Sequence, residues 1–238
     1  VTGQAQDGEG GTDSLVGIEG VWGSGFNDTL VGGVGRDYLR GNAGSDSLDG
    51  GAGGADVAEY SNATTGIVAN LVTGQVQDGL GGIDTLTRIE QILGSRFSDS
   101  MQGGNGVELE VLSGEAGNDT LVGGAGRGFL RGGTGADSLQ GGNGDEQVLW
   151  GDDVFNEPAG NDTLVAGGGN LQTLYGDGGA DSLVGGNGER QRIYGNNGND
   201  TLVAGGGDNQ FLFGDLHNDS LLGGNGVDQK IQGDAGND

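Results

Sequence analysis

Cysteine is absent from the 238 residues, so neither a disulfide nor a thiolate metal site exists. Proline occurs once, at Pro158, which excludes a collagen-like helix. Basic residues number nine against 35 acidic ones, for a net charge of −26. Neutralising phosphates takes clustered Lys and Arg, so no nucleic-acid partner is expected. No apolar run approaches the ~20 residues of a membrane-spanning helix, so no membrane span is expected. The chain shows no signal peptide, opens without Met and stops within a motif at Asp238. It is therefore read as a segment of a longer chain.

What is abundant is glycine, with 60 residues. Disordered glycine-rich linkers carry no fixed apolar spacing, whereas Leu, Val and Ile recur here at regular intervals. The clearest unit is nine residues long: "GGVGRDYLR" at 32–40, "GNAGSDSLD" at 41–49 and "GGTGADSLQ" at 132–140. Its template is G-G-x-G-x-D-x-U-x, with U a large aliphatic residue. Glycine at the first, second and fourth places allows a sharp turn with carbonyls directed inward. The x-U-x triplet then forms a short strand with U buried. Asp at the sixth place adds a carboxylate to those carbonyls. Ca²⁺ takes six to eight hard oxygens, more than one turn supplies, so each ion would sit between two stacked turns.

This nonapeptide closely resembles the RTX, or hemolysin-type, calcium-binding repeat, over nearly all of the chain outside 59–78 and 152–159. The expected fold is all-β: a right-handed parallel β-roll of about twelve coils, ~4.8 Å apart, with calcium in the turns. Two nonapeptides make one coil, so the turns alternate between two edges. The first edge carries Asp13, Asp28, Asp46, Asp84, Asp99, Asp119, Asp137, Asp162, Asp181, Asp200, Asp219 and Asp238 as candidate ligands. The second edge carries the Asp only at Asp37 and Asp56. Beyond these, Gly128, Gln172 and Gln210 stand in its place, and other turns hold an extra residue. The reading is a one-sided ladder with about eight to twelve calcium ions, enough to offset most of the negative charge.

A longer period overlies the short one. Residues 160–197 align with 198–235, and 1–33 match 72–104 at 19 of 33 positions. In the latter pair two Asp residues stand 15 apart, which predicts a shortened second-edge turn with Ile18, Val21, Ile89 and Ile92 inward. An insert at about 59–83 reads as longer strands, and a short one lies at about 152–159. No Gly/Ser or Pro linker divides the chain, so 1–238 is read as one domain.

Other signals have plainer readings. "GGAGRG" at 123–128 lies between short strands and not before a helix, so it is no dinucleotide site. Five of the six Asn-x-Ser/Thr sequons fall in the repeat turn itself. His217 fills a turn-glycine place, which predicts a left-handed backbone and no catalytic role. Ser or Thr precedes U on every first-edge strand, read as solvent-facing strand residues, with ice binding a remote alternative. Trp150, Tyr175, Tyr194 and Phe213 follow U in successive coils. They form either a rung-to-rung stack or a stripe for self-association or a neighbouring domain.

No motif resembles a catalytic domain, so no enzymatic activity is expected. The resemblance implies a secreted bacterial protein, exported unfolded by a type I system and folded by external calcium at the cell surface or beyond. Its role would be structural or adhesive. The alternative is the non-catalytic calcium module of a secreted protease, lipase or epimerase.

Overall fold

The computed structural model describes residues 3–6, 12–15, 17–106, 109–152 and 159–238. Among them there is no helix, and so none long and apolar enough to cross a membrane. Short strands stack into two facing sheets of 14 and 11 strands, joined alternately by turns at two edges. The 11-stranded sheet has one strand per coil, so the parallel solenoid has eleven coils where the repeat count predicts about twelve.

The strand Ser47–Asp49 shows why the repeat folds this way. Leu48 is wholly buried between exposed Ser47 and half-buried Asp49. Its register sets Leu48 against Leu30 on one side and Leu86 on the other. Repeated in each coil, this stacks the U residues into one core running from Val21 to Leu212. Three-residue strands bury little alone, so stability comes from the neighbouring coil. The turns need glycine where coils nearly touch. Gly51 has φ +93°, and a Cβ there would lie 2.6 Å from the Gly32 carbonyl oxygen.

Two strands of the larger sheet, Gly3–Gln6 and Gln75–Gln77, run against the parallel pattern. The insert does not form longer strands. Val68–Asn70 and Gln75–Gln77 make a three-residue antiparallel hairpin, and Gln75–Gln77 also pairs antiparallel with Ile83–Thr87. The hairpin wedges between Ile83–Thr87 and Ser100–Gln102. At the other end Gly3–Gln6 pairs antiparallel with both Thr12–Leu15 and Thr29–Val31. Asp13 is therefore separated from Asp28 by an intervening strand, and its side chain lies outside the described residues. The shortened turns are there, with Val21, Ile89 and Ile92 buried, but Ile18 is 48% exposed. Most of the short insert at 152–159 also lies outside the described residues.

Candidate functional site

The first-edge aspartates are joined by a repeated hydrogen bond in which one Asp N–H donates to Oδ1 of the Asp one coil on. Asp28 donates to Asp46 and Asp46 to Asp84, at 2.8 and 2.9 Å. A second run passes from Asp99 through Asp119, Asp137, Asp162, Asp181, Asp200 and Asp219 to Asp238. The expected continuous ladder is broken between Asp84 and Asp99, where the hairpin intervenes and Ile67 N–H donates to Asp99 instead.

Because Oδ1 is committed to the backbone, Oδ2 is left over. It is buried and without a hydrogen-bond partner at Asp46, Asp84, Asp119, Asp137, Asp162, Asp181, Asp200 and Asp219, as is Oδ1 of Asp28. An unpaired buried carboxylate oxygen is expensive, and here it recurs coil after coil. From Asp119 to Asp219 each such oxygen shares a small space with a carbonyl of the next coil. A methyl group added at Gly176 would lie 2.5 Å from Asp181 Oδ2 and 2.8 Å from the Gly195 carbonyl oxygen. One at Gly195 would meet Asp200 Oδ2 at 2.5 Å and the Gly214 carbonyl at 2.8 Å. Among the described residues no three acidic or His side chains are grouped to hold a metal by themselves. The donor set is instead carboxylate plus backbone carbonyl, all hard oxygen, which suits Ca²⁺. The residues fit the ion.

The electrostatics agree. Burial, opposed by the N–H donor and reinforced by neighbouring carboxylates, raises Asp162 and Asp181 to about 8. Asp84 and Asp119 are raised to about 7, and Asp137 and Asp200 to about 6. Carboxylates pushed this way are poorly held without a cation, whose charge would reverse the shift. Two predicted ligands differ. Asp99 has both oxygens engaged, by Ile67 and by the Ser95 backbone and hydroxyl, and Asp238 is exposed.

On the second edge Asp37 N–H donates to Asp56 Oδ1, and Asp56 N–H to Glu90 Oε2. Asp56 Oδ2 is again a buried orphan. Strand register places Glu90 and then Glu110 in line with Asp37 and Asp56, and Gly128 after them. Burial raises Glu110 to about 7. Reading the nonapeptide by its glycines misses both glutamates, although each keeps the spacing acid-x-U found in D-x-U. The same register puts Gln147, Gln191 and Gln229 in the Asp place, alongside the expected Gln172 and Gln210. Two further acids also escaped the repeat. Asp152 is buried beside the Asp137–Asp162 step and accepts N–H groups of Gly160 and Gly178. Asp78, from the hairpin, is buried close enough to Asp46 and Asp84 to raise both.

The aromatic residues form a stack. Centroids of Trp150, Tyr175, Tyr194 and Phe213 follow at 6.0, 5.0 and 4.9 Å within 10° of parallel, and Phe129 joins at 5.4 Å. Each ring is half-buried by its neighbours. His217 has φ +85°, as its place in the turn predicts.

The profile of the RTX calcium-binding nonapeptide repeat (4 copies) matches residues 22–55, 110–130, 126–154, 159–170, 173–190 and 194–229, more than half of the sequence. No curated protein matches the chain significantly. With its repeats, parallel solenoid and unpaired turn carboxylates accounted for together, the chain belongs to the RTX calcium-binding repeat family.

Proposed function

We propose that this chain is a single calcium-folded structural unit, an adhesive or load-bearing segment of a protein secreted by a bacterium or held at its surface. The observation that carries the reading is the row of buried, unpartnered Asp oxygens along the first edge. Calcium held by Asp119, Asp137, Asp162, Asp181, Asp200 and Asp219, with glycine carbonyls of the adjoining coils, would neutralise the carboxylates and tie each coil to the next. A net charge of −26 resists compaction until cations enter. Calcium outside the cell, at ~1 mM, suits weak extracellular sites, so the chain stays unfolded inside and folds after export. Circular dichroism in EDTA, followed by calcium, tests this. The expected result is loss of the β signal and its return. A β signal unchanged by EDTA would refute it.

A further inference from the structure

We propose that from Gln147 onward the second edge is closed without metal, the glutamine side-chain amide taking the place that the cation has on the first edge. The inference rests on the calcium reading of the first edge and deepens it. Gln172 shows the arrangement. Its Oε1 accepts the N–H of Gly167 in its own turn at 2.6 Å. Its Nε2 donates to the carbonyls of Gly142 and Gly144 in the preceding coil, both at 3.0 Å. Gln147 does the same with Gly142 N–H and the carbonyls of Gly124 and Gly126. Gln210 repeats it with Gly205 N–H, at 2.6 Å, and the Gly186 carbonyl, at 2.9 Å. Gln191 and Gln229 each keep the glycine N–H and one carbonyl.

Carbonyls that would ligate an ion thus receive amide hydrogens. An ion there would meet an NH₂ group and one neutral oxygen in place of a carboxylate. No buried atom of these glutamines is without a partner, in contrast to the orphan oxygens opposite. The amides also join along the axis, with Gln210 Nε2 donating to Gln191 Oε1 at 3.1 Å, a glutamine ladder of the kind that stabilises stacked strands. The turn is built to match. Gln is one methylene longer than Asp, and each of these turns has one extra residue, immediately before the Gln. That residue takes a left-handed conformation every time: Glu146, Leu171, Arg190, Asn209 and Asp228, with φ between +55° and +58°. Longer side chain and longer turn occur together five times.

Two measurements test this on the calcium-saturated protein. Native mass spectrometry of Gln172→Ala and Gln210→Ala should give the wild-type number of bound calcium ions. Melting should fall by roughly 5–15 °C, because buried carbonyls lose their donors. A variant that binds fewer ions than wild type would overturn the inference. In wild-type protein the Gln172 and Gln210 side-chain NH₂ protons should exchange slowly by NMR. Fast exchange would overturn the inference even if the variants fail to fold. A wild-type chain that binds no calcium would instead refute the calcium reading, and the NH₂ exchange would still decide this one.

Discussion

The two edges of the same coils solve one problem in opposite ways. Both must satisfy carbonyls that a tight glycine turn directs inward. The first edge does so with buried carboxylates, as at Asp162, Asp181 and Asp200, which on the reading proposed above take a cation. The second, from Gln147 on, does so with a neutral amide that brings its own hydrogens. On that reading the first solution ties folding to the medium. The amide solution costs one more residue per turn and adds no charge to a chain already at −26.

Substitutions at matched positions break the comparison most sharply. Asp200 accepts the Asp181 N–H and lies between two steps of the ladder, so Asp200→Ala should remove two ions. At ~100-fold saturation each ion is worth about 2.7 kcal/mol, hence about 5 kcal/mol in all. Calorimetric titration should show the lost stoichiometry, while Gln210→Ala in the same coil keeps it. Equal losses from both would erase the distinction.

Next in size come changes blind to the edges. Leu183 and Leu174, both wholly buried in facing sheets, should each lose about 2–5 kcal/mol on truncation to Ala. Denaturant unfolding in saturating calcium should give comparable values. A much smaller loss at Leu174 would show that the amide edge holds its sheet independently of the core.

The pH dependence sharpens the contrast without metal. Burial raises the first-edge carboxylates, to about 8 at Asp162 and Asp181 and about 7 at Asp119, above the ~4 of an unfolded chain. The folded state therefore binds protons that the unfolded chain has released. That contribution is full below about pH 4 and is lost as pH rises through 6 to 8. In EDTA, more β signal is expected at pH 5 than at pH 8, and the reverse order would contradict the burial of charge. The glutamines have no part in this response. The smallest effect is expected at the aromatic stack. Tyr194→Thr removes two ring contacts, each worth about 0.5–1.5 kcal/mol, and should leave the calcium midpoint almost unmoved. Light scattering on the same variant tests the stripe as a contact face. Association lost with folding intact would support that role.

Legibility in the sequence followed spacing. The core and the row of first-edge aspartates were readable because D-x-U recurs as a local pattern. Gln147, Gln191 and Gln229 were not, since alignment on glycines slips by the one extra residue. Alignment on the strand, as in "QVLW", "QRIY" and "QKIQ", recovers them. Glu90 and Glu110 were hidden by turns of other lengths. The hairpin at 68–77 is not legible in this way because its antiparallel partners are chosen by tertiary packing, which a local apolar pattern does not encode.

That hairpin has a consequence for how order spreads. A solenoid behaves as a line of nearest-neighbour couplings, and its cooperativity is limited by the weakest link. Between Asp84 and Asp99 the aspartate line is cut. On the other side the strands Val57–Glu59, Gln91–Leu93 and Glu110–Ala116 pass the register on without a gap. The aspartate line is thereby divided into two blocks, a shorter one ending at Asp84 and a longer one from Asp99 onward, joined by both sheets and the shared core but by no aspartate step. Under the calcium reading proposed above, order crosses this joint through strand pairing and core packing without an aspartate step, so the joint, and not the chain's length, sets how far one nucleus can propagate.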